Sequence, residues 1–135
     1  MKLNTLKELL DGARSTWFDQ VMFDYSDVLN TVADKKYPYV FWDIVNSVTN
    51  VSLRDEFKEM QINVYAVAII DEQDNSFDVY DDLEYRLKGY LLNVNTVSRI
   101  SLISTKSELE YYPRGSISID SEIGIRIRIE IQVLC

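Results

Sequence analysis

Histidine is absent from this chain. Its absence removes the commonest general base, the commonest neutral metal ligand and every Ser–His or Cys–His nucleophilic pair. Cysteine occurs once, as Cys135, which excludes an intrachain disulfide and a zinc–thiolate site and agrees with a reducing compartment. Glycine is sparse: Gly12, Gly89, Gly115 and Gly124 are too scattered to cradle a phosphate. No G-x-S-x-G nucleophile turn occurs. No stretch approaches the ~18 consecutive apolar residues of a membrane span. Met1–Thr5 carries no apolar signal-peptide run. Together these gaps predict a protein that is not an enzyme, needs no cofactor, contacts no membrane and takes no small-molecule substrate.

Positive charge is also short. Fourteen Lys and Arg face 22 Asp and Glu, for a net charge of −8. A sequence-specific nucleic-acid reader needs a basic footprint, which this chain lacks. A surface that DNA slides past is compatible with the same balance. The acid excess lies within residues 1–97, whereas 98–135 are balanced at five of each sign. The length of 135 residues fits one domain, 1–135, large enough to bury about two-thirds of its unfolded surface. Apolar residues at 47% and nine tyrosines argue against a disordered chain.

The strongest pattern lies in 117–133. Every odd position is Ile or Val except Ser121, and the even positions are mostly polar. A period of two with β-branched residues on one face marks a half-buried strand. At ~3.4 Å per residue the run would reach roughly 58 Å, several times a common strand of about 17–20 Å. It must bend near Ser121 or project as an arm. Upstream, Arg99–Ile103 reads as a strand, and 104–112 continue extended with Leu109 and Tyr111 alternating. Tyr112-Pro113-Arg114-Gly115 then offers a type I turn. The segment 104–122 is therefore expected as a long hairpin able to project, tipped by Pro113–Gly115, with Tyr112, Pro113 and Arg114 as candidate contact residues. On its closing strand Arg126 and Arg128 share a polar face suited to cross-strand or intersubunit ion pairs.

The remaining elements follow from periodicity. Leu6, Leu9, Leu10, Ala13, Trp17 and Val21 predict an amphipathic helix over 5–21, with Thr5 and Glu8 as a capping box. Residues 22–36 read as a connecting segment with a short strand around Met22–Tyr25. Tyr37–Val45 is a strand apolar on both faces, with Pro38 at its start. Asp43 interrupts it, and predicts either an arginine partner on the next strand or a solvated rim. Val51, Leu53 and Phe57 alternate on odd positions and Met60–Ile70 on even ones. That phase flip predicts a β-bulge between Phe57 and Met60. Tyr65, Val67 and Ile69 fill the other face, which makes Val64–Ile70 a central strand. A helix over 77–92 follows, capped by Ser76 and ended by Asn93 or Asn95. Tyr80, Leu83, Leu87, Tyr90 and Leu91 form its apolar face. The predicted class is α+β: a mostly antiparallel twisted sheet of four to five strands packed with two helices, with a long C-terminal β-hairpin arm.

Candidate chemistry is thin. The acidic stretch 71–84 fails as a calcium loop, because Val79 stands where glycine is needed and Tyr85 where a bidentate glutamate is needed. Within it, Asp78, Asp81 and Asp82 suit the start of a helix and could instead form an acidic contact surface for a basic partner. A carboxylate-and-metal hydrolase built on Asp43 is the weakest of the functional readings.

The element order and three local features resemble small bacteriophage neck and tail-completion proteins, the tail-terminator-like family. An N-terminal helix precedes Phe23-Asp24-Tyr25-Ser26-Asp27 and a polar run. Lys36-Tyr37-Pro38-Tyr39-Val40 opens a strand leading to Asn46-Ser47-Val48. A bulged strand feeds Asp71–Asp74 and the helix Asp78–Leu92. The resemblance covers about the first 95 residues. It implies a virion structural protein, assembled in the host cytoplasm as a ring of six or twelve copies. Such a ring joins the portal or connector to the tail tube and lets DNA pass non-specifically. The alternative is a soluble adaptor or inhibitor domain that binds one protein through its acidic surface.

Overall fold

A computed structural model describes residues 1–24, 34–104, 106–117 and 121–135. Most of the expected connecting segment 22–36 lies outside these residues, as do Tyr25-Ser26-Asp27 of the phage-like motif and Ser118, Ile119 and Asp120 of the long alternating run. The described elements are α1 (Leu3–Gly12), β1 (Gln20–Asp24), β2 (Tyr39–Val51), β3 (Phe57–Ile69), α2 (Ser76–Thr96), β4 (Ile100–Leu102), β5 (Leu109–Tyr112) and β6 (Glu122–Leu134). The class is α+β, as expected. The sheet has six described strands in the order β1-β2-β3-β6-β4, with β5 also on β6. That exceeds the expected four to five: the short segments read around Met22–Tyr25, Arg99–Ile103 and 104–112 each contribute a separate strand, β1, β4 and β5. Only β1 and β2 pair in parallel among the described strands.

α1 is shorter than its apolar spacing suggested. The helix stops at Gly12, Ala13 caps it, and Ser15 takes a left-handed φ of 48°. Trp17 and Val21 continue the spacing outside the helix: Trp17 packs over Gly89 of α2, and Val21 belongs to β1. Thr5 lies inside the helix, and Lys2 is the N-cap without a side-chain bond, so no capping box forms. In α2 the cap is Asn75, whose Oδ1 accepts the Phe77 amide at 2.9 Å, and Ser76 is the first helical residue. Asn93 and Asn95 do not end the helix. Their side chains reach out instead, Asn93 donating to the Ala13 carbonyl at 3.2 Å and Asn95 accepting the Leu102 amide at 2.9 Å.

β3 is central, as its two apolar faces predicted, and pairs with β2 on one side and β6 on the other. The expected bulge between Phe57 and Met60 is not there: β3 runs in unbroken register with β6 from Phe57↔Leu134 to Ile69↔Glu122. A turn resets the phase instead. Between β2 and β3 the Ser52 amide bonds the Phe57 carbonyl at 3.0 Å, and Asp55 takes a left-handed φ of 55°. The irregularity sits in β2, where Asp43 faces Asn63 but Val48 faces Gln61. Asp43 is buried rather than at a rim, and Asn63 stands opposite it on the next strand. Asp43 Oδ1 accepts the Val45 amide at 2.9 Å, holding the chain where the register breaks.

The terminal hairpin is present, and β6 begins after Ser121, where a break was expected. Both its strands lie in the sheet: β6 along the whole of β3, and β5 on β6 from Leu109↔Ile127 to Tyr112↔Gly124. The turn falls one residue later than Tyr112–Gly115. The Ser116 amide bonds the Pro113 carbonyl at 3.2 Å, and Gly115 takes a φ of 80° that favours glycine.

Both helices cover one face of the sheet. Even residues of β3 and odd residues of β6 point into this core with Leu6, Leu10, Leu83 and Leu87. Tyr90 ties three elements together: it accepts Trp42 Nε1 at 3.0 Å and donates to the Leu10 carbonyl at 2.9 Å. The opposite face carries a second, smaller cluster of Tyr39, Phe41 and Val67, with Ile117 packed on it.

Candidate functional site

β4 and β5 share the outer edge of β6, but at different places. β4 pairs with residues 131–133 and β5 with residues 124–127. Between them the chain is held to β6 by side bonds, the Ile103 amide on the Glu130 carbonyl at 2.9 Å and the Ser107 hydroxyl on the Arg128 carbonyl. α2 crosses above this gap. The result is an apolar groove of about 810 Å³, walled by Leu87, Leu91 and Leu92 of α2, Leu102 and Leu109 of the edge strands, and Ile127 and Ile129 beneath. Ligand and partner clefts commonly fall between roughly 300 and 1,000 Å³. The charges on its rim are Glu84, Lys88 and Lys106, with Lys88 bonded to Glu84 at 3.2 Å. Leu92 stands 67% exposed at the rim, and Ile103 and Tyr111 are exposed along the same edge.

Part of the expected contact set converges on this edge. Tyr112 ends β5, half-buried, and donates from its hydroxyl to Glu110 Oε2 at 3.1 Å. Arg126 forms an ion pair with Glu110, so Tyr112 and Arg126 meet on one carboxylate. Burial first, then the bond to Glu110, holds the Tyr112 hydroxyl above the ordinary tyrosine value. Pro113 and Arg114 are exposed in the turn beyond. Arg128 is exposed two residues along β6, opposite Asn63, and does not join the Arg126–Glu110 pair. α2 meets the hairpin through Tyr80, whose hydroxyl donates to the Tyr112 carbonyl at 2.9 Å while its ring meets Tyr111 edge-on; Asp78, Asp81 and Asp82 are not brought to it. The three acids are not equivalent. Asp82 pairs with Arg86 at 2.8 Å, whereas Asp78 and Asp81 are exposed at the start of the helix. Between them and the loop, Phe77 is 76% exposed.

Periodicity missed the groove because its walls come from three separated segments. One local signal was available: Leu91 and Leu92 are adjacent, so both cannot face the core of one helix. A second group was missed altogether. Glu122, fully buried, accepts the Tyr37 hydroxyl at 2.6 Å and the Tyr39 hydroxyl at 3.2 Å, with Lys35 Nζ at 3.5 Å. Burial, reinforced by the adjacent carboxylate, pushes both phenols well above their ordinary value. In the sequence Glu122 is one more polar residue at an even position. The cluster is a satisfied structural network binding the start of β2 to the start of β6.

Among the described residues no group of three or more His, Cys, Asp or Glu is placed to hold a metal ion, and no helix is long and apolar enough to cross a membrane. No known protein family and no curated protein matches the chain.

Proposed function

We propose that this chain is an assembly subunit: a virion structural protein of a phage neck or tail. Its copies form a ring that joins the portal or connector to the tail and lets DNA pass. The observation that carries the reading is the apolar groove along α2 and the β4–β5 edge, with Leu92 exposed at its rim. Exposed apolar surface rimmed by polar residues favours burial against another protein. A ring needs head-to-tail contacts between unlike patches of identical copies, and the element order resembles that of tail-terminator-like proteins. A net charge of −8 keeps passing DNA from sticking.

The deciding experiment is negative-stain electron microscopy of the full chain with light-scattering mass, alone and with portal or tail-tube proteins. Rings, or a mass of six or twelve copies, are expected. A chain that stays monomeric at every concentration and joins neither partner overturns the reading. A second reading, an adaptor domain using its acidic surface, is favoured by the exposure of Asp78 and Asp81. Neutralising Asp78, Asp81 and Asp82 would then abolish binding to a basic partner and leave self-assembly intact.

A further inference from the structure

We infer that Phe77 is the knob of a head-to-tail contact between copies of this chain, seated in the α2/β4–β5 groove of the next copy. The inference rests on the self-assembling reading above and names the surfaces that carry it.

Three observations meet here. Phe77 is the most exposed aromatic side chain on α2, at 76%, in the first turn of a helix whose other end walls the groove. A single exposed ring is ordinary on a protein surface, but aromatic side chains are the usual anchors of interfaces where a matching pocket exists. The groove is lined by leucine and isoleucine and is large enough for such a ring and its neighbours.

Charge selects the occupant. Residues 71–82 around Phe77 contain Asp71, Glu72, Asp74, Asp78, Asp81 and Asp82, and no Lys or Arg. On the groove rim Lys88 is paired with Glu84 at 3.2 Å, which leaves Lys106 as the uncompensated charge, a net positive rim on an acidic protein. An acid-collared aromatic fits that rim, and this chain supplies one itself. Complementary rim charge of this kind steers association and sets register.

One copy cannot satisfy the contact internally. Phe77 and Leu92 lie on the same continuous helix, and fifteen residues of rise separate them by about 22 Å. Knob and groove are also different patches, so the contact is heterologous. Repeated, such a contact closes into a ring or runs on as a filament.

The test uses the full chain in four samples: wild type, Phe77→Ser, Leu92→Glu, and an equimolar mixture of the two variants, each followed by sedimentation velocity. Both side chains are largely exposed, so both variants fold, which far-UV circular dichroism checks. Wild type is expected to form species larger than a dimer. Each variant alone should weaken association by about 10–100-fold. The mixture should yield a dimer and nothing larger, because the intact Phe77 of one variant meets the intact groove of the other, leaving both ends of the dimer blocked. Wild-type assembly by either variant, or a mixture that stays monomeric, overturns the inference and leaves the ring reading standing. A wild type that never self-associates overturns it too, and the ring reading is then decided separately by portal and tail-tube binding.

Discussion

Glu122 is where one side chain has the most to lose. It is fully buried and receives two tyrosine hydroxyls and the Lys35 ammonium. Removing one partner of a buried ion pair leaves the other charge uncompensated and typically costs about 3–5 kcal/mol. Glu122→Ala should therefore lower the unfolding free energy by an amount in that range, read as a lower urea midpoint. Glu122→Gln, which keeps an acceptor for the tyrosines, should lose less; equal losses would mean that packing rather than charge holds the site. The phenols make a pH prediction. Burial raises Tyr37, Tyr39 and Tyr90 above the ordinary value of 10.0. The native state therefore keeps these protons after the unfolded chain has lost them. The stability they contribute is full below about pH 10 and falls as pH rises toward the native values. In an alkaline titration these three of the nine tyrosines should ionise only as the chain unfolds. Phenolate absorbance reaching all nine with the far-UV spectrum unchanged would contradict this.

At the scale of elements, the packing of β6 depends on Gly124. A Cβ there would lie 2.7 Å from the Ala66 carbonyl oxygen and 2.5 Å from Ile117 Cδ1. The first contact is backbone of the central strand and cannot swing away. Gly124→Ala should cost about 1–3 kcal/mol, the usual penalty for overpacking, read as a lower thermal midpoint. A neutral substitution would show that β3 and β6 can part without loss. The periodic part of β6 was legible beforehand, since alternating Ile and Arg admits few other local structures. The end of α1 was not: Trp17 and Val21 continue a helical spacing by position alone, while Ser15 turns the chain. The β-bulge was also misplaced. Around Ile44 and Val45 both faces are apolar, so an irregular register leaves no trace in the pattern, whereas an ordinary turn between β2 and β3 imitates one.

The whole molecule is built around one contiguous core spanning both helices and five strands, from Leu6 and Leu10 to Val133. Such a core should melt as one unit. Trp42 lies inside it and Trp17 at the α1–α2 margin. Tryptophan emission and far-UV circular dichroism should therefore give coincident urea transitions; separated midpoints would divide the domain. At this scale the helix-covered face of the sheet also stays open on one side, because β4 and β5 are too short to fill the edge of β6 beneath α2. That shortfall creates the groove on which the assembly reading rests.

The sequence by itself determined the α+β class, the two helices, the central position of β3, the long closing strand and the absence of any histidine or intrachain disulfide. Each of these depends on residue type or on spacing within a few positions, which local sterics and burial translate directly into structure. Only the tertiary structure decided the parallel pairing of β1 with β2, the sharing of β6 between β4 and β5, the convergence of Tyr112 and Arg126 on Glu110, and the burial of Glu122. Those features join residues as much as 85 positions apart. Which distant strand edge or side chain meets another is set by how the whole core closes, and no local period encodes it.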